Sequence, residues 1–409
     1  MSRLLGVALG VLTAIGGFLD IGDLVTNAVV GSRFGLSLAW VVVLGVVGIC
    51  LFADMSARVA VVSGRATFEV IRERLSPRAA GANLVASFLV TLLTLTAEIG
   101  GVALAVQLAT AVEPRLWVPL AAFGVWLVLW RARFSLMENV TGLVGLCLVV
   151  FVVALVLLRP DWPALGASAL DLGPPPGEAG LTYAFYAVAL FGAAMTPYEV
   201  HFFSSGAREE GWTVKGLGRA RLNVLVGFPL GGLLSLAIAA CAAVVLLPAG
   251  IAVTSLSQVA LPVAQAGGQV ALAFLIMGLV AATVGAALET ALSSGYALAQ
   301  FLGWSWGKFR RPAEAARFHL TMIVGLLVAV GVLMTGVDPV LVTEYSVVFS
   351  AIALPLTYLP ILVVANDPQY MGEHVNSRVV NAAATAMLVV VVLASVAAVP
   401  LLLLTGGGT

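Results

Sequence analysis

The sequence specifies an all-α polytopic membrane protein, and three observations carry that assignment. Of its 409 residues, 61% are hydrophobic and only 10% are charged, against ~25% charged in an ordinary soluble domain. Apolar runs long enough to cross a bilayer, about 20 residues each, recur along the whole chain. Most of these runs lack the polar face that a helix of a soluble enzyme needs.

In chain order, the runs place spans at roughly 5–32, 36–60, 82–111, 116–131, 136–158, 181–208, 219–247, 267–301, 317–336, 338–365 and 378–404. A cytoplasmic N-terminus makes 58–81, 131–135, 206–221, 302–317 and 366–378 the inner connections. The outer ones then hold only Arg33, Arg115 and Arg159 of the 20 Lys and Arg. The positive-inside rule selects that orientation, and the odd span count puts the C-terminus outside. The first segment is too long for a cleavable signal and lacks a small-residue cleavage site before its acids. Lysine is outnumbered by arginine, two to 18, amid abundant Ala, Val, Leu and Gly. That composition points to a GC-rich bacterial genome, hence to a bacterial plasma (inner) membrane.

The connections hold little. The segment 159–180 contains five prolines and reads as an outer loop, and 248–266 reads as another polar connection. The stretch SGRATFEVIRERLSP (63–77) has helical spacing and basic residues, so a short helix on the inner surface is expected. Cys50, Cys147 and Cys241 lie scattered in apolar runs with neither metal spacing nor a disulfide framework. No soluble domain, nucleophile constellation, phosphate loop or nucleic-acid-binding patch is expected, and the chain is expected to act as a monomer without a cofactor.

A weak internal repeat organises the chain. GGFLDIGD (16–23) and GAAMTPYE (192–199) each sit deep in a span, with small residues first, a helix-breaking element next and an acid in eighth place. Gly22 is the expected breaker of the first. Pro197 breaks the second by lacking a backbone donor and clashing with the preceding turn. Interrupted spans at matching positions in two halves point to the binding site of a secondary transporter. The halves run over about 5–158 and 181–365 within one transmembrane domain, with 378–404 as an extra span.

Asp20, Asp23, Glu98 and Glu199 lie well inside spans, with Glu289 a fifth and Glu344 nearer an end. Each isolated charge costs about 2.5–3.5 kcal/mol at a helix centre. The bases lie almost wholly in loops, so either protonation or a bound cation must neutralise the set. Freed carbonyls at a helix break carry partial negative charge and favour the cation. Glu98 and Glu289 also fit buried packing contacts, and His201, just past the second break, fits either a proton carrier or a polar wall. His319 and His374 sit in or beside inner loops.

At these residues the chain resembles the Nramp family of divalent-metal transporters, with closest likeness to its magnesium-transporting branch. The likeness runs nearly end to end. FLDIGDLVTNAVVGSRFGLSLAW resembles the first span, SARVAVVSGR the inner loop after the second, and TAEIGGVALAVQL the third. MENVTGLVGLCLVVFVVALVLLRP resembles the fifth, MTPYEVHFFSSG the sixth, and ANDPQYMGEHVNSR the loop before the eleventh. The resemblance implies a LeuT-type fold, with an inverted repeat of spans 1–5 and 6–10 and with spans 1 and 6 broken. It also implies that Gly17 and Ala193 supply backbone carbonyls to the metal, and that Glu98 is the family's third-span acid.

The departures matter. The family's Asp-Pro-Gly-Asn reads Asp20-Ile21-Gly22-Asp23, and its Met-Pro-His reads Thr196-Pro197-Tyr198. A hydroxyl thus replaces the family's thioether ligand, while Met195 lies one register off. The family's second sixth-span histidine falls at Phe203, and a further third-span acid falls at Leu95. Oxygen ligands suit Mg, Ca and Mn, whereas thioethers suit softer metals. The expectation is therefore an importer of Mg²⁺, with Mn²⁺ second, working by alternating access without proton coupling. Asp20, Asp23 and Glu199 would bind or attract the ion, Thr196 and Tyr198 would shape its site, and Gly16 and Gly22 would act as hinges. Glu98, His201 and Glu289 would line a proton or ion pathway. The rivals are a proton-coupled Mn²⁺ or Fe²⁺ importer using Met195, a transporter of an organic cation or amino acid, and a non-transporting metal sensor.

Overall fold

The computed structural model describes residues 19–408. Fourteen helices carry the architecture: α1 Ile21–Phe34, α2 Ala39–Ser63, α3 Thr67–Arg74, α4 Pro77–Thr110 and α5 Pro114–Arg131. Then come α6 Phe134–Leu157, α7 Trp162–Leu170, α8 Gly180–Ala194, α9 Pro197–Glu209 and α10 Leu217–Val245. The last are α11 Leu256–Leu302, α12 Ala316–Met334, α13 Pro339–Ala365 and α14 Arg378–Thr405. Side chains set many of the starts. Asp20, Ser76, Asp161, Asp338 and Ser377 each accept a first-turn N–H, and Pro begins α4, α5, α9 and α13, where its missing donor costs nothing.

Among the described residues, nine helical stretches are long and apolar enough to cross a membrane, counting α8 and α9 together. α5 falls short of them because it carries three tryptophans and an arginine near each end. The first expected span is split: its N-terminal part, with Gly16 and Gly17, lies outside the described residues, and α1 is its remainder. The surface helix expected over 63–77 is present as α3. The connection expected at 248–266 is instead partly helical. Gln258 accepts the Ser255 N–H at 2.9 Å to start α11, which then runs 47 residues with a kink at Gly268 (φ 62°, ψ −149°). Gly268 has non-helical angles, so α11 is two helical stretches meeting at a kink, and only glycine adopts this conformation cheaply.

Two large apolar clusters, with a small third around Ala60, Val61 and Ala207, fill the interior of the described residues. The larger joins α1, α2, α8, α10 and α13; the second joins α4, α5, α11 and α12 through Leu95, Ile99, Val118, Leu292, Phe318 and Met322. α1 and α10 touch almost backbone to backbone, since a Cβ on Gly31 would sit 2.1 Å from the Ala239 carbonyl oxygen. Large apolar side chains such as Leu116, Leu120, Phe123, Leu393 and Val396 stay exposed on the outer faces, as a lipid-facing surface requires.

The connections sort to two ends as the alternation of spans demands. At one end Arg58 donates to the His374 carbonyl at 3.3 Å and to Asn376, Arg74 pairs with Asp367, and Arg72 donates to the Phe301 carbonyl at 2.7 Å. Trp306 reaches Glu69 at 2.9 Å and Lys308 reaches the Ala132 carbonyl at 2.8 Å. At the other, Arg33 bridges Glu178 at 3.1 Å and donates to the Gly408 carbonyl at 2.6 Å.

Candidate metal site

Two helix starts meet in the interior. α1 begins just after Leu19 and Asp20, the first described residues; α9 follows a helix break at Met195 and Thr196, after α8. In the two octets these are the same positions, the fourth and fifth. Asp20 (φ −90°, ψ 175°) and Thr196 (φ −63°, ψ 124°) are the extended N-caps of α1 and α9. Asp23 and Glu199 are then the third residues of their helices.

Gly22 is not the breaker it was expected to be: it is the second residue of α1. Asp20 starts α1: its Oδ1 accepts the Asp23 N–H at 2.7 Å, taking the place of a helical acceptor. Gly22 supplies room instead; a Cβ there would lie 2.7 Å from Val347 and 3.0 Å from Asp20 Oδ1. From α4, Glu98 Oε1 accepts the Ile21 N–H at 3.1 Å, so this acid caps the broken end from across the fold. Its Oε2 is buried without a partner. Tyr198 donates its hydroxyl to Asp20 Oδ2 at 3.4 Å, joining the two breaks.

At the second break Pro197 opens α9 at its first position. The carbonyl four residues earlier belongs to Ala193, the penultimate residue of α8, and Pro197 has no N–H to offer it. That carbonyl therefore lacks its usual helical donor. The Met195 carbonyl is taken by the Tyr358 hydroxyl at 3.3 Å. The Met195 side chain packs on α2, where its Sδ lies 2.5 Å from the place a Cβ of Gly48 would occupy. The thioether is thus lodged against a glycine. Thr196, 6% exposed, makes no capping bond with its hydroxyl.

The expected cluster of three carboxylates is not assembled. No three His, Cys, Asp or Glu side chains among the described residues come together as a metal site. Asp23, expected to share the ion with Asp20, has its oxygens engaged by Asn27 Nδ2 at 2.9 Å and by the Ser235 hydroxyl of α10. Glu199 faces Glu289 of α11, the two carboxyls lying within hydrogen-bonding reach. The neighbours decide it: Asn27, four residues on, and Ser235 of α10 hold the Asp23 carboxylate, and Glu289 of α11 lies beside Glu199. His201 stacks on Phe68 of α3 with ring centroids 4.0 Å apart, and both its ring nitrogens lack a protein partner. No hydrogen bond joins it to the break.

Sequence reasoning did not single out Asn27, Ser235 or Tyr358, because a lone hydroxyl or amide in an apolar helix gives no sign of its partner. It also passed over Glu138, which lies near the edge of the expected span 136–158, where an acid needs no explanation.

A carboxylate and two hydroxyl side chains thus come together where α1 and α9 begin, inside an all-helical membrane protein. The chain belongs to the Nramp family: residues 10–400 match the model described as natural resistance-associated macrophage protein-like. The divalent metal cation transporter MntH of Chromohalobacter salexigens is 28% identical over 393 residues, covering 92% of this chain and 86% of that protein. MntH of Deinococcus radiodurans is 28% identical over 377 residues, with 88% and 82% covered. The fold is shared with the Eremococcus coleocola manganese transporter, crystallised with an aromatic bis-isothiourea compound. There the TM-score is 0.73 at 19% identity, covering 95% of this chain and 85% of that one. It is also shared with Mhp1, a nucleobase-cation-symport-1 family transporter in a closed conformation, at TM-score 0.62 and 16% identity, with 97% and 90% covered. These relatives are transporters, and the chain is not an enzyme.

Proposed function

We propose that the protein imports a hard divalent cation, Mg²⁺ first and Mn²⁺ second, across a bacterial plasma membrane by alternating access. That the cargo is a divalent metal is supported by the relatives, which are divalent metal cation and manganese transporters. One observation carries the preference for a hard ion: the nearest thioether, Met195, is packed against Gly48. Asp20, Thr196, Tyr198 and the Ala193 carbonyl then offer oxygen alone, with the Gly17 carbonyl expected as a further ligand. Such a donor set suits Mg and Mn. Mg²⁺ usually keeps several of its waters, and the small Thr196 leaves space for them. Asp23 and Glu199 add negative charge from the first helical turns, where it also opposes the positive helix ends.

The import runs down the electrochemical gradient without protons. Leu95 and Phe203 stand where the resemblance puts a titratable acid and a histidine, and His201 is stacked against Phe68. Binding uses the two breaks, and the helices that bear them rock against the rest, with the N-terminus cytoplasmic and the C-terminus outside. The two sequence halves, 5–158 and 181–365, form the repeats, which the matching positions of the breaks support.

Proton-coupled Mn²⁺ import is the second reading, favoured by the manganese-transporter relatives. Proteoliposomes holding a Mg²⁺ or Mn²⁺ dye and an internal pH dye separate the two. We expect saturable Mg²⁺ uptake with internal pH unchanged. Strong Mn²⁺ uptake with acidification and no Mg²⁺ uptake would reject the proposal.

A further inference from the structure

Glu199 and Glu289 pose a problem that the break itself does not answer. They are 3% and 7% exposed, and each keeps an Oε2 with no partner. None of the salt bridges among the described residues reaches them. Two acids side by side in an apolar interior repel each other unless something positive lies between them. Electrostatic neighbours extend the pair both ways. Glu199 lies in the field of Asp20 at the break, and Glu289 in that of Glu138 on α6. Glu138 in turn contacts Glu210, and both line a cavity of about 510 Å³ between α6, α9 and α10. Lys215 and Arg219 share its wall but form no salt bridge with either acid.

We propose that Glu199 and Glu289 form a second holding point for a hydrated divalent cation, between the helix break and this cavity, with Glu138 handing the ion onward. The proposal rests on the transport reading above. Two carboxylates with free oxygens are enough to hold an ion that keeps part of its water shell. Holding it there divides one long passage through an apolar interior into shorter steps, each with an anionic partner. Multi-site passage needs binding favourable enough to enter and weak enough to leave. The pair, with Glu138 beyond it, meets both conditions better than a single deep site.

The test counts ions. Purified full-length protein is titrated with Mn²⁺ and the bound ion is quantified by electron paramagnetic resonance, alongside uptake in proteoliposomes. We expect two Mn²⁺ per wild-type chain, one in Glu289→Gln and one in Asp20→Asn, with about tenfold slower uptake in Glu289→Gln. Glutamine keeps the shape and can donate to Glu199, so folding should persist. Should Glu289→Gln fail to fold, Glu138→Gln decides: a several-fold weaker second site supports the proposal, and an unchanged one overturns it. A wild-type ion count in folded Glu289→Gln overturns it as well, and means that the pair shares only a proton. Displacement of the second Mn²⁺ by equimolar Na⁺ would also overturn it. Undiminished uptake in Asp20→Asn would reject the break as the transport site while leaving the count for Glu289→Gln to stand or fall alone.

Discussion

Asp20 does two jobs that substitution can separate. Its Oδ1 caps α1 through the Asp23 N–H, a bond worth about 0.5–2 kcal/mol when replaced by alanine. In the proposed import its charge attracts the ion. Asp20→Asn keeps an N-cap acceptor, so thermal unfolding should move little while uptake disappears; undiminished uptake would remove Asp20 from the site. Asp20→Ala should lose both the cap and the flux. Thr196→Met restores a thioether where the resemblance expects one. It should shift preference from Mg²⁺ toward Mn²⁺ and Cd²⁺ by about tenfold, roughly 1.4 kcal/mol, in competition uptake assays. Asp23→Asn should weaken Mg²⁺ uptake only a few-fold, because its side chain turns to Ser235 and acts on the ion through charge. At this scale the sequence was informative about which residues are unusual. It said less about where they face. An acid in an apolar run declares itself through its desolvation cost, but nothing in the run shows that Asn27 and Ser235 engage Asp23 while Asp20 caps α1. Only the packing of α10 and α11 names those neighbours.

Helix contacts have their own energetics. The α1–α10 seam depends on Gly31, whose missing side chain lets the two backbones approach. Gly31→Ala forces that seam apart, and overpacking of this kind costs about 1–3 kcal/mol. The expected result is a clear drop in the unfolding midpoint of the detergent-solubilised protein, with residual uptake slowed. Between helices, the Asp367 carboxyl is held below its usual range by the Gln369 N–H and by Arg74. Its contribution is present above the ordinary carboxylate value and is lost only as pH falls through the lowered one. Uptake measured between about pH 5 and 8 should therefore show no dependence traceable to this latch, and Asp367→Asn should leave the shape of the pH profile unchanged. The sequence marked the helices well because length and hydropathy suffice for a span. The span expected from 267 begins at the Gly268 kink; the part missed before it is helical because a capping pair, Ser255 and Gln258, turns a polar connection into a helix.

For the whole molecule, the two ends are tied differently. Arg58, Arg72, Arg74 and Lys308 bind neighbouring connections at one end, and Arg33 gathers Glu178, Tyr186 and Gly408 at the other. The proposed rocking would loosen some of these contacts in turn. In the proposed uncoupled import the driving force would be the membrane potential, about 2.3 kcal/mol per charge per 100 mV and doubled for a divalent ion. A potassium diffusion potential, negative inside, should speed Mg²⁺ uptake steeply, and a proton gradient imposed alone should not. Acceleration by the proton gradient would restore coupling to the mechanism.

The lodging of Met195 against Gly48 has an evolutionary meaning. A soft ligand sits one residue from the break, held out of it by the absence of a single side chain on another helix. A Cβ at residue 48 would lie 2.5 Å from the Met195 Sδ, so any enlargement there must displace the thioether, and Gly48→Ala is expected to alter metal preference in competition uptake assays. A lineage could therefore change its metal diet through a position that never touches the metal. The substitution would look neutral in any account that considered only the ion's own ligands.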